Sequence, residues 1–164
     1  MGSAISNVSM TVKVTEQITL GGKDYGGTRT VAVASVNEVM SRVVNVLQSS
    51  GWVEVLSYGA TTEKGQSITS EGKYIRITNL STSFDLALKT KATAECSVFT
   101  VKPGHSFIIS AIENGMDSST ADITWTQSPS AVTDISRADI TNVYLCVLTS
   151  TGTDSIDVEV FAVS

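Results

Sequence analysis

Histidine occurs once in this chain and cysteine twice, a scarcity that removes most of the usual reaction chemistry. A nucleophile needs a base beside it, and the lone His105 follows Pro103-Gly104 at the start of a strand-like run. A turn or strand-edge role there outweighs general-base catalysis, so no catalytic residue is expected. No Gly-x-Ser-x-Gly elbow occurs. Two thiols without histidine partners are too few for a structural zinc site, and no metal or cofactor is expected. Cys146 lies within the apolar run Val143 to Leu148 and reads as a small hydrophobe. Cys96 sits beside Glu95 in a more polar stretch. Sequence spacing does not decide whether the two thiols are bridged. The absence of a visible secretory leader, and a core large enough to need no staple, weigh against it.

Charge is sparse as well. Charged residues make up 16% of the chain and hydrophobic residues 41%, the reverse of a disordered composition. A net charge of −5, with a pI near 4.7, speaks against a nucleic-acid surface, which needs clustered Lys and Arg. No segment approaches the roughly 18 apolar residues that span a bilayer, so no membrane partner is expected. Met1 to Ser6 has neither a basic start nor an apolar block, so no secretory signal is read there. The 164 residues suffice for one domain with its own core, and the expectation is a soluble globular protein.

Thr, Ser and Val dominate instead, without long Glu/Lys/Leu/Ala runs. Lys73 to Asn79 and Val101 to Ile109 are short strand patterns, the second carrying a Pro-Gly turn. Neither buries its apolar face alone, so the two must pair with other strands. Met10 to Thr15 alternates with period two. Gln17 to Leu20 and Thr30 to Val33 bracket Gly21-Gly22-Lys23-Asp24-Tyr25-Gly26-Gly27, which predicts a hairpin with a projecting glycine-rich loop. Val36, Val39, Met40, Val43 and Leu47 fit a helical stripe, but the β-branched run around Val43-Val44 favours a turn near Asn37-Glu38 and then a strand. Further strands are predicted at Trp52–Leu56, Phe84–Leu88, Ser97–Val101, Ile123–Gln127, Val143–Thr149 and Ile156–Val163, with a solvated loop over Ala60–Gly72. Spacing of roughly 8–12 residues with turn signals between predicts an all-β fold, an antiparallel β-sandwich, jelly-roll-like, with an N-terminal hairpin or arm. Residues 1–9 read as a flexible arm and residues 10–164 as one domain. Val143–Leu148 is apolar on both faces and should be central.

For contacts with sugars or partners the candidates are Tyr25, Trp52 and Tyr58; Trp125 shares a face with Ile123 and reads as core. Trp52, after Gly51 at a strand start, is the better candidate for an exposed ring. Phe161 and Val163 end an outer strand face that is either a subunit contact or ordinary exposed surface. Asp157 and Glu159 share a strand face and suit either a bridging cation or a solvated surface, the latter weighing more. Asp134 and Asp139 form a further carboxylate pair. The glycine-rich loop has no following helix to receive a phosphate.

Tyr74-Ile75-Arg76-Ile77-Thr78-Asn79, Val101-Lys102-Pro103-Gly104-His105-Ser106-Phe107, Ile140 to Tyr144 and Val158 to Phe161 together carry a resemblance, as does the Met10 to Val33 hairpin. The chain resembles small β-sandwich virion proteins of tailed bacteriophages, particularly marine and cyanobacterial phages. His105 stands where an acidic or amide side chain is more usual in them. The resemblance implies a capsid decoration (cement) protein, made in the host cytoplasm and placed on the outer capsid surface. It further implies the major capsid protein as partner, self-association as a homotrimer, and a bridging role between capsid subunits. Two other classes remain: a carbohydrate- or receptor-binding β-sandwich of a tail or fibre, and a hydrolase with a cleft at His105.

Overall fold

A computed structural model describes residues 8–58, 67–68, 72–92, 96–110, 116–117, 137–138, 140–149 and 152–164. The predicted strand Ile123–Gln127 with Trp125, the pair Asp134 and Asp139, and residues 1–7 of the expected arm lie outside them. So does most of the expected loop over 60–72. The chain divides into two units, Met1–Asn37 and Glu38–Ser164, where one domain from residue 10 was expected.

The first unit is a two-stranded ribbon. β1 (Val8–Glu16) pairs antiparallel with β4 (Gly27–Val36), so Val8 and Ser9 belong to a strand and not to an arm. At its tip β2 (Thr19–Leu20) and β3 (Lys23–Asp24) form a smaller hairpin. Gly21 and Gly22 between them have φ of 59° and 77°. Two successive positive φ angles match the right-handed twist of a tight hairpin, and glycine adopts them without strain.

The second unit is a β-sandwich. Its strands are β5 (Val39–Leu47), β6 (Val53–Tyr58), β7 (Ser67–Ile68), β8 (Tyr74–Asn79), β9 (Asp85–Lys91), β10 (Cys96–Val101), β11 (Ser106–Ile109), β12 (Met116–Asp117), β13 (Arg137–Ala138), β14 (Asn142–Leu148) and β15 (Ser155–Val163). One sheet runs β10-β9-β14-β6-β7 and the other β11-β8-β15-β5, with β12 and β13 as a separate pair. All pairs are antiparallel except β6 with β7, which also puts a short strand where only loop was expected. β8 and β11 pair directly, Ile77 opposite Phe107. The ambiguous stretch resolves as strand β5, because its β-branched residues suit a pleated surface better than a helix.

Alternation sends Leu86, Leu88, Val143, Leu145 and Val147 inward from the first sheet, against Ile75, Ile77, Val158 and Val160 from the second. Each such side chain contributes about 1.5–3 kcal/mol through burial. β14 is central as expected, but only its inner face is sealed. Tyr144 and Cys146 on the outer face are half-buried and Leu148 is exposed. At the edge Phe99 of β10 meets Phe107 of β11, ring centroids 4.6 Å apart.

A polar clasp crosses the sandwich. The buried Asn79 amide, on β8, donates to the Val101 carbonyl on β10 (3.0 Å) and to the Phe84 carbonyl (2.9 Å), while its oxygen accepts from the Ser81 backbone (3.0 Å). Its backbone carbonyl accepts from Gly104 and its amide donates to His105, so the Pro103-Gly104 turn is tied to the same residue. Buried carbonyls left without donors are costly. Asn79→Ala is therefore expected to destabilise the sandwich by about 2–4 kcal/mol in urea titration. A loss no larger than that of an exposed-site substitution contradicts the clasp.

Candidate functional site

The outward face of the five-stranded sheet carries an aromatic and charged cluster. Antiparallel register sets Tyr144 of β14 beside Lys89 of β9 and Glu54 of β6. The Lys89 ammonium lies 4.6 Å from the Trp52 ring centroid and 4.7 Å from that of Tyr144. Both are cation–π distances. Burial, and then the charge and hydrogen bond of Glu54, push the Tyr144 phenol above its ordinary range. Trp52 is exposed, as the sequence suggested. Tyr144, Lys89 and Glu54 were not singled out from sequence, although the period-two pattern places Tyr144 and Cys146 on the face opposite Leu145.

Tyr25 lies in the other unit, 60% exposed at the ribbon tip, with the Lys23 ammonium 5.6 Å from its ring centre. Around it Ile18 and Leu20 are exposed too, and so are Val14 and Val31 along the ribbon. Register puts Met10, Val12 and Val14 on the same face as Val33, Val31 and Arg29. Of that stripe Val14 and Val31 face water, while Met10 and Val12 are half-buried and Val33 is buried.

The remaining candidates need correction. Tyr58 is buried, its ring packed over Gly72 so closely that a Cβ at that position would overlap it. It is therefore not a surface ring. Val163 is also fully buried and so is not a subunit contact, and Phe161 is half-buried, edge-on to Tyr74 at 6.1 Å with the Arg76 guanidinium 5.5 Å from its ring centre. Both carboxylates have protein partners: Glu159 accepts from Arg76 (2.9 Å) and Asp157 from Asn45 (2.8 Å). His105 Nδ1 donates to the Pro103 carbonyl within its own turn (2.8 Å). Cys96 is exposed, Cys146 half-buried, and no bond joins them. Among the described residues no three His, Cys, Asp or Glu converge as metal ligands, and no helix is long and apolar enough to cross a membrane. No family model, curated protein or solved structure matches the chain.

Burial alone holds the Tyr58 phenol far above its usual range, and its hydroxyl has no hydrogen-bond partner among the described residues. A phenol whose folded pKa is raised keeps its contribution intact below the unfolded value of about 10 and loses it as the pH rises further. Alkaline unfolding is thus expected to begin above about pH 10. Tyr58→Phe should leave stability at pH 7 within about 1 kcal/mol of wild type and flatten the alkaline decline. Thermal melts across that range check both, and an unchanged alkaline slope in the variant contradicts the assignment.

Proposed function

We propose that this protein is a virion structural component of a tailed phage, a decoration protein that attaches as a homo-oligomer to the outer surface of the capsid and bridges major capsid subunits. One observation carries the adhesive part of this reading: the ribbon of β1–β4 exposes Val14, Ile18, Leu20, Tyr25 and Val31 on a two-stranded element that buries little by itself. Isolated two-stranded hairpins are marginal in water, and contiguous exposed apolar surface marks a contact site. On this reading a shell surface covers the ribbon's apolar residues. The phage assignment itself rests on the motif resemblance.

The test uses purified shells of the major capsid protein. Wild-type protein should bind saturably and raise the temperature at which shells rupture. The double variant Leu20→Asp/Tyr25→Ser, altered only at exposed tip positions, should keep the wild-type melting temperature and bind at least tenfold more weakly. Wild-type protein that neither binds shells nor co-purifies with virions overturns the reading.

A second reading has its own observation. The Trp52, Tyr144, Lys89 and Glu54 cluster presents an aromatic ring beside polar groups on an exposed sheet face, a composition suited to stacking on a sugar. Glycan binding by wild type, lost in Trp52→Ala while shell binding persists, assigns that face to a receptor role.

A further inference from the structure

The four-stranded sheet ends at β5, which pairs with β15 on one side, and among the described residues no strand pairs with the other. Natural edge strands are shielded by shortness, exposed charges, proline, a bulge or an inward-pointing charge. β5 has only the last, Arg42, and its guanidinium is already engaged with the Val55 carbonyl across the sandwich. The strand is nine residues long, contains neither Lys nor Pro, and keeps unbroken register with β15 from Val39 to Leu47. Its outward residues Val39, Val43 and Leu47 are 57%, 60% and 45% exposed. Its inward residues Met40 and Val44 reach the core but stay only partly buried.

We propose that this edge is completed by β5 of a second copy, antiparallel about a two-fold axis through Val43. The sequence of the strand argues for a copy of itself as occupant. With Val43 opposite Val43, Val39 faces Leu47 and Ser41 faces Asn45 on the outer side, each twice. On the inner side Met40 faces Val46, and Arg42, whose guanidinium already donates to the Val55 carbonyl across the sandwich, faces Val44. Apolar meets apolar and amide meets hydroxyl along the outer face. Shifted registers lose this. Centring on Arg42 sets Arg42 against itself and Val39 against Asn45; centring on Val44 sets Ser41 against Leu47 and Val43 against Asn45. The other long edge, β10, lacks the property: centred on Val98 it opposes Ser97 to Phe99, and centred on Phe99 it opposes Val98 to Thr100. Facing residues in antiparallel pairs must share a sheet side, so no intermediate register exists.

The pairing joins two four-stranded sheets into one of eight and buries Met40 and Val44. It is isologous: each copy uses its β5 edge once, so the contact closes at two subunits and does not propagate. The opposite edge, β11, has only four residues. This surface is independent of the ribbon, and the dimer stands whether or not the ribbon meets a capsid.

Sedimentation equilibrium decides it. Wild type is expected at about twice the 17.3 kDa chain mass. Val43→Lys and Val43→Glu, at an exposed position, should each keep the wild-type circular dichroism and a cooperative melt, with a melting temperature no longer dependent on concentration, and sediment as monomers, because like charges then stand directly opposite. Mixing the two variants should restore the dimer. Hydrogen exchange on wild type provides a reading without substitution, with outward β5 amides slowing as the dimer forms. A monomeric or trimeric wild type, a dimer that survives in both variants, or no recovery on mixing overturns the proposal.

Discussion

Among the described residues, the two sheets hide their apolar faces against each other. Each strand alternates, so the inward half of its side chains has one place to go, between β10-β9-β14-β6-β7 and β11-β8-β15-β5. Everything else follows from what that packing leaves over. The outer faces, the open edges and the separate ribbon are what the core does not consume. Asn79 matters in this frame because it ties one sheet to the carbonyls of the other with a fully satisfied buried amide. A buried polar group of that kind fixes the relative placement of sheets that apolar packing alone specifies loosely.

Much of the sandwich was legible. The period-two runs and the Pro103-Gly104 turn located β8 and β11 and implied that both need strand partners, and register shows them paired with each other. Gly21-Gly22 marked the ribbon tip. The competing helical stripe at Val36–Leu47 illustrates how a strand rich in apolar residues also satisfies a 3.6 period; the β-branched Val43, Val44 and Val46 decided for strand. The division after Asn37 coincides with the turn read near Asn37-Glu38, but a turn between two strands does not by itself say that the strands belong to different units.

The surface was less legible, for a physical reason. Alternation says which residues share a face, but not whether another element covers it. Phe161 and Val163 do share an outer face, yet Val163 is sealed, and Tyr58 is drawn inward where β6 carries an irregularity opposite Val143 and Tyr144. Conversely, Lys89 between Trp52 and Tyr144 depends on the pairing of three strands distant in sequence, which no local pattern contains. The self-complementarity of β5 was written in the sequence throughout, but it acquires meaning only once β5 is known to be an edge.

The proposed adhesion works through backbone and apolar surface that is left uncovered among the described residues. Hydrogen–deuterium exchange, compared between dilute free protein and protein on assembled capsids, tests this most directly. Ribbon amides in Val8–Val36 should exchange quickly in the free protein, as suits a two-stranded element, and become strongly protected on the shell, while core strands such as β14 stay slow in both. Equal exchange of the ribbon in the two states would contradict the account.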